Sequence, residues 1–446
     1  MSFTLYPTDT LFLIIVASGA AYFTYVCRHA QLRAQWRQVL VNPLGASAAV
    51  VLSLYLAIGL CDSVRVTRGN EILSLLDIIA APLRTQVEMT YSAPFASTGF
   101  VMESSYAADG SLHRDFPRLR YGGRVLSDSA KQRASDLLQR SFAGVALGAL
   151  GSGAIYWLLG GWRKGAGGAH RRPLPRGRAC WPWLVFASVG MSAGMLTTVA
   201  PYYHVFGTDK VGMDVLYQTL KSIRTGLVIG TVTTLISLPL AIGLGLAAGY
   251  FRGWVDDCVQ YLYTTLSSVP GVLLIAAAAL SLDAYMGRHT ASLTSLEARA
   301  DLKLLGLCVV LGVTGWTSLC RLLRAEVLKL SAVDFVTAAR ALGVSPLMIL
   351  FRHLLPNTLH LVVITTVLDF SGLVLAEAVL TYIDIGVDPS MNSWGNMINS
   401  ARLDLAREPA VWWSLFAAFS SMFVLVLAAN LFADVVRDAF DPRLHK

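Results

Sequence analysis

The chain has 446 residues, 55% of them hydrophobic and only 14% charged, with a formal net charge of +8. Soluble domains carry roughly 25% charged residues, so an ordinary water-soluble architecture is excluded. The basic excess requires no polyanion either: Lys and Arg cluster in short loops beside apolar runs, where retention of positive charge on the cytoplasmic side of a membrane accounts for them, and no nucleic-acid partner is implied.

In chain order, nine runs are long and apolar enough to cross a ~30 Å hydrocarbon core as helices: Leu11–Cys27, Ala46–Cys61, Phe142–Gly160, Trp181–Ala200, Thr225–Tyr250, Val259–Leu282, Leu304–Leu322, His360–Leu380 and Val411–Ala433. They lack the polar stripe of a helix lying on a soluble core. Met1–Thr10 contains no Lys or Arg, which argues against a cleaved secretory signal and for a retained first helix. Six cysteines form no close Cys-x-x-Cys pair, so neither a disulfide framework nor a zinc site is predicted.

The loops orient the spans. Arg28–Arg37 has three Arg and no acid, Arg163–Arg178 has six Lys or Arg and no acid, and Arg321–Arg352 has five basic against two acidic residues. Asp384–Glu408, by contrast, holds two basic and four acidic residues. One topology satisfies these counts, with the N-terminus outside, the C-terminus in the cytoplasm and nine crossings.

Three parts follow. Residues 1–160 form an N-terminal transmembrane region with a large loop at about 62–140, whose ten basic and nine acidic residues suit a small folded extracytoplasmic domain. Residues 161–180, rich in Gly, Pro and Arg, read as a flexible cytoplasmic linker. Residues 181–446 carry six further spans.

The most informative stretch lies in a cytoplasmic loop at about 326–357. Ala338, Ala339 and Arg340 favour helix, and Gly343 is placed to end it in a left-handed cap. Ser345 reads as an N-cap with Pro346 at the first position of a second short helix, which Pro356 is expected to stop. Val336, Ala339 and Leu342 are expected to make a small apolar surface. A loop of this kind can simply link two spans.

Its wording, however, resembles the EAA loop of binding-protein-dependent ABC importers, with Thr337-Ala338-Ala339, then Gly343, then Leu355-Pro356-Asn357. Thr337 stands where that pattern has an acid, although Asp334 supplies a carboxylate three positions earlier. Other stretches are similar to the dipeptide/oligopeptide branch of that family, in its C-type permeases. They are His204–Asp209 with Gly212–Val215, Ala248–Asp256, Leu380–Gly386 with Asp384 in place of a Gly, Ser393–Met397, and Arg437–Leu444. The resemblance runs from Trp181 to the end and does not include residues 1–160.

The resemblance implies an all-α polytopic membrane protein of the bacterial inner membrane. Its six-helix type I ABC importer transmembrane domain would be preceded by about three extra transmembrane helices and an extracytoplasmic loop domain, which the apolar runs and loop charge of residues 1–160 predict. It implies a permease that passes peptides or peptide-like solutes, beside a second permease subunit, two ABC ATPase subunits, a substrate-binding protein and membrane lipid. Asp334, Ala338, Ala339, Arg340, Gly343, Arg352 and Pro356 would form the ATPase-coupling surface. This chain would hold no cofactor, since no Gly-x-x-x-x-Gly-Lys-Ser/Thr is present, and ATP and Mg would sit on the partner ATPases.

Span His360–Leu380 contains Asp369 and Glu377 among twelve Leu, Ile, Val and Phe. Two ionised carboxylates at roughly 2.5–3.5 kcal/mol each would cancel most of that apolar gain if both sat centrally. Either both face a water-filled pathway and meet a solute's amino terminus, or each is neutralised by a neighbouring helix or sits near the interface. The second reading suits Glu377, which falls in a family-like Glu-Ala-x-Leu segment. A proton-coupled secondary transporter would need a longer relay of ionisable groups, and a membrane sensor would need an output domain after Ala433.

Overall fold

The structure is a computed structural model that describes residues 2–68, 71–106, 112–123, 129–165, 181–289 and 295–440. In chain order its elements begin with β1 (Ser2–Thr4), α1 (Pro7–Arg28), α2 (Ala30–Val41), α3 (Pro43–Ser63), β2 (Arg65–Arg68) and β3 (Glu71–Ser74). Then come α4 (Leu75–Ile79), α5 (Ala81–Thr85), β4 (Glu103–Tyr106), β5 (Leu112–Asp115), α6 (Ser129–Gly165) and α7 (Trp181–Val199). The rest is helical: α8 (Val215–Phe251), α9 (Gly253–Ser268), α10 (Gly271–His289), α11 (Leu296–Gly315), α12 (Thr317–Leu330), α13 (Asp334–Ala341), α14 (Pro346–Ile349), α15 (Leu355–Tyr382), α16 (Trp394–Leu405) and α17 (Trp413–Phe440).

Every predicted span is helical. Among the described residues eight stretches are long and apolar enough to cross a membrane by themselves, and α6 contains the remaining predicted run, Phe142–Gly160. The predicted span Val259–Leu282 is corrected: it is two helices, α9 and α10, parted at Val269–Pro270, because proline has no N–H to continue α9. Of the predicted linker, residues 166–180 lie outside the described residues, as do residues 441–444 of the last family-like stretch.

The chain packs as two compact units. The first consists of Met1–Thr4, Leu40–Arg224 and Asn392–Ala428. Here α6 and α7 meet through small residues. A Cβ on Gly148 would lie 2.1 Å from the Gly190 carbonyl oxygen, and one on Gly194 would lie 2.3 Å from that of Gly144. Backbones can approach this closely in lipid only where side chains are absent. The predicted loop domain is not purely helical. Strands β1, β2 and β3 form one antiparallel sheet and β4 pairs with β5. Ala80 and Leu83 from this region share a core with Val199, Tyr203, Leu216 and Tyr217.

The second unit consists of Leu5–Val39, Thr225–Met391 and Ala429–Lys446. The start of α1 is capped from α11: Thr8 donates its backbone N–H to Asp301 Oδ2 at 3.2 Å and its hydroxyl to the same carboxylate, and Tyr6 donates to Glu297 at 2.9 Å. A carboxylate at a helix N-terminus satisfies donors the helix itself leaves unpaired. Trp36 of α2 lies 6.4 Å from Phe432 and 5.6 Å from Phe440, ring centre to ring centre. Val39 is buried with Val435, Val436 and Ala439.

Candidate functional site

The loop between α12 and α15 is built on one short helix. Val336 and Ala339 of α13 are buried with Leu246 and Tyr250 of α8, Val327 of α12, and Ile349, Leu350 and Leu354 beyond the turn. Arg340 lies with its guanidinium 4.8 Å from the centre of the Tyr250 ring, a cation–π contact. Gly343 ends α13 at φ +74°. Its N–H bonds to Arg340 O at 3.0 Å, and the Val344 N–H bonds back to Ala339 O at 3.1 Å. These two bonds are the Schellman pattern, and the left-handed residue it needs is the one a Cβ would penalise. Past it Ser345 takes the N-cap position with Pro346 in the first turn, although its side chain caps nothing.

The structure differs from expectation at two points. The predicted surface of Val336, Ala339 and Leu342 is split: the first two face inward, while Leu342, the C-cap past the buried stripe, is 83% exposed. Pro356 does not stop a helix. A π-helical turn at Leu350–Leu354 precedes it, and helix continues to Tyr382. The wider turn relieves the clash that proline makes with the carbonyl four residues back.

Of the other predicted coupling residues, Asp334, Ala338, Arg340, Gly343, Arg352 and Pro356 are exposed, and Ala339 is buried. The loop also exposes Leu347, Met348 and Phe351, which line a shallow groove with Ser345, Arg352 and Pro356. Sequence reasoning missed these apolar side chains. Their signal was a run of large apolar residues in a short helix too brief to bury them all.

Two further features fix the loop's root. Arg252 sits at φ +56° and donates to Ser331 Oγ at 2.9 Å, just where α12 ends. Asp256 of α9 takes both Nε and Nη2 of Arg324 of α12, the latter at 2.7 Å.

The intramembrane acids occupy different surroundings. Glu377 is 1% exposed and accepts a hydrogen bond from Thr381 Oγ1 at 3.0 Å. Asp369 is exposed on α15 beside a recess of about 210 Å³.

In the first unit, the stretch His204–Asp214 is gripped by residues 88–95. His204 Nδ1 lies 2.7 Å from Asp214 Oδ2, and Nε2 lies 3.5 Å from Glu88 Oε1. Glu88 also accepts the backbone N–H groups of Arg120, Tyr121 and Gly122. Burial alone would push the imidazole pKa down, but the bonds to Asp214 and Glu88 outweigh it and raise it to about 9. Burial likewise opposes ionisation of Glu88, yet His204 and the three N–H groups hold its pKa down at about 2. Backbone bonds continue the grip: Glu88 N–H to Gly212 O at 2.9 Å, Thr208 N–H to Ser92 O at 3.1 Å, and Phe95 N–H to His204 O at 2.9 Å. Gly212 is required there, since a Cβ would lie 1.9 Å from Glu88 O.

The profile of the family described as "binding-protein-dependent transport system inner membrane component" matches residues 241–446. The glutathione transport system permease protein GsiD of Pectobacterium atrosepticum is 31% identical over 241 residues, covering 54% of this chain and 73% of its own length. The chain belongs to this family.

The oligopeptide transport system permease protein OppC of Mycobacterium bovis is 30% identical, over 54% of the permease and 76% of its own length. The dipeptide transport system permease protein DppC of Lactococcus lactis is 32% identical, over 54% and 64%. The protein is therefore the transmembrane permease of an ABC transporter, a multi-pass protein of the inner membrane that works with ATPase and substrate-binding components. The permease is not the catalytic subunit; ATP hydrolysis belongs to a separate one. The family profile leaves residues 1–240 unmatched.

Proposed function

We propose that the permease forms half of the translocation pathway of an ATP-driven importer of peptides or peptide-like solutes. A second permease completes the pathway, two ATPase subunits bind ATP and Mg, and a substrate-binding protein delivers the solute from outside. The N-terminus lies outside and the C-terminus in the cytoplasm, as the basic loops favour. The names of the similar proteins, which specify glutathione, dipeptides and oligopeptides, support the solute class.

The observation that carries the coupling role is the two-sided build of α13. One side, Val336 and Ala339, is fixed to the long helices, and beyond it Ala338, Leu342, Leu347, Met348 and Phe351 are exposed. Short, rigid and locked at both ends, it suits the transmission of rigid-body motion. When the ATPase dimer closes on ATP, a subunit docked on this surface pulls α13. The buried side carries the pull into α8, α12 and α15, which rock between inward and outward openings.

The test is purification of the tagged permease from mild detergent, identification of its partners and assay of ATPase activity. Recovery of a second permease and ATPases, with coupling weakened by Gly343→Val, is the expected result. A permease that purifies alone and without ATPase activity would overturn the proposal.

A further inference from the structure

Asp369 lies within the apolar span Pro346–Tyr382. It is exposed, and among the described residues it makes no hydrogen bond or ion pair. An ionised Asp at the centre of a span costs about 2.5–3.5 kcal/mol, so it persists where something compensates it. The adjoining recess is walled by Thr233 and Ser237 of α8, Leu311 and Gly315 of α11, and Leu368 and Gly372 of α15. A Cβ on Gly315 or on Gly372 would meet nothing within 4 Å, so both glycines leave the recess open.

The hydroxyl of Thr233 is a second sign. Thr233 is 1% exposed, and its Oγ1 has no nitrogen or oxygen partner, only the weakly polar thiol of buried Cys308. A buried hydroxyl without such a partner costs about 1–3 kcal/mol. Ser237 spends its proton on Thr234 O at 3.3 Å and keeps its lone pairs. A carboxylate and two hydroxyl-bearing side chains thus line one recess, with no positive side chain among the lining residues. A hard divalent cation wants six or more oxygens. A group that brings its own N–H donors and one positive charge matches better.

We propose that Asp369, Thr233 and Ser237 form a subsite on the translocation pathway for a cationic N–H donor group of the transported solute, a primary ammonium or a guanidinium. This rests on the importer reading above. It also separates the two membrane acids: Asp369 meets the solute, while Glu377 belongs to the protomer's interior.

The assembled complex, purified in mild detergent at pH 6, is treated with dicyclohexylcarbodiimide, and the adduct at Asp369 is quantified by peptide mass mapping. Guanidinium chloride is titrated in as the probe, against equal potassium chloride. The expected result is an adduct at Asp369 that guanidinium suppresses and potassium does not, absent in Asp369→Asn. The double variant T233V/S237A, which keeps the carboxylate, should need about tenfold more guanidinium, the loss expected for one or two hydrogen bonds to a charged group. Equal suppression by both salts overturns the proposal. So does an Asp369 that reacts in the isolated permease but is silent in the complex, which would place a basic side chain of the second permease there. An Asp369 silent in both overturns it as well. ATPase activity in the same preparation reads the importer assignment separately.

Discussion

The backbone N–H of Val344 donates to the carbonyl of Ala339 across 3.1 Å, and that bond folds the chain after α13 back onto the residue that anchors the helix. It exists because Gly343 accepts φ +74°. A Cβ there would meet nothing within 4 Å, so any cost of substitution is a backbone cost. Gly343→Val should cost about 1–2 kcal/mol of local stability, leave the spans folded, and lower uptake per ATP hydrolysed several-fold in proteoliposomes. Gly343→Asn, which tolerates the left-handed region, should transport nearly normally. Equal coupling in the Val variant and the wild type would remove α13 from the coupling path.

The end of α15 repeats this geometry with a poorer residue. Asp384 N–H bonds to Thr381 O and Ile385 N–H to Leu380 O, both at 3.0 Å, with Asp384 at φ +61°. Relief of the left-handed strain predicts that Asp384→Gly stabilises the permease by about 0.5–1 kcal/mol, a rise of a few degrees at most in thermal midpoint. A fall instead would show that the Asp384 carboxylate contributes more than its backbone costs.

The Glu88–His204–Asp214 cluster makes stability depend on pH. His204 is raised from 6.5 to about 9, so its contribution is complete below pH 6.5 and is lost as pH rises through about 9. Glu88 is lowered from 4.5 to about 2, so its contribution is complete above pH 4.5 and is lost as pH falls toward 2. The thermal midpoint of the wild type should therefore fall between pH 6.5 and 9, by an amount equivalent to on the order of 2–3 kcal/mol. His204→Gln should be less stable at pH 6 and flat across that window. A wild type that is itself flat from pH 6.5 to 9 would show that the imidazole is not held charged.

Residues 1–160 carry anchors at several points. Tyr91 donates to Asp404 at 2.6 Å, Tyr55 to the Ser421 carbonyl at 2.8 Å, and Asp77 meets Lys221 at 2.9 Å. With α1 capped by Asp301 as well, deletion of residues 1–160 should abolish recovery of the permease complex from membranes. A truncated permease that assembles normally but takes up solute slowly would favour a gating or docking role for this region.

The sequence pattern revealed what depends on composition along a single element. Apolar runs marked the spans, save the one that breaks at Val269–Pro270, and Gly343 announced its cap because only local backbone geometry was at stake. What escaped depended on neighbours distant in the chain. That Ala339 turns inward while Leu342 turns out is decided by Tyr250 and Leu350, which no periodicity within α13 can report. The four-residue strands β2 to β5 are too short and too polar to stand out from a mixed-charge loop. The family-like segment around Glu377 hinted at a structural role, but the packing of α15 is what buries Glu377 and leaves Asp369 exposed.

The lacing of residues 88–95 onto later parts of the chain also sets an order of manufacture. Tyr91 and its partner Asp404 are 313 residues apart. At the ribosome's ≈5–20 residues per second, about 15–60 s pass between their synthesis. Tyr91 waits that long for its partner, while Glu88 waits a shorter time, since its partners Arg120, Gly122 and His204 are all made well before Asp404. The early domain can therefore be completed only by the late one, and a truncated nascent chain leaves it open, a ready mark for quality-control proteases.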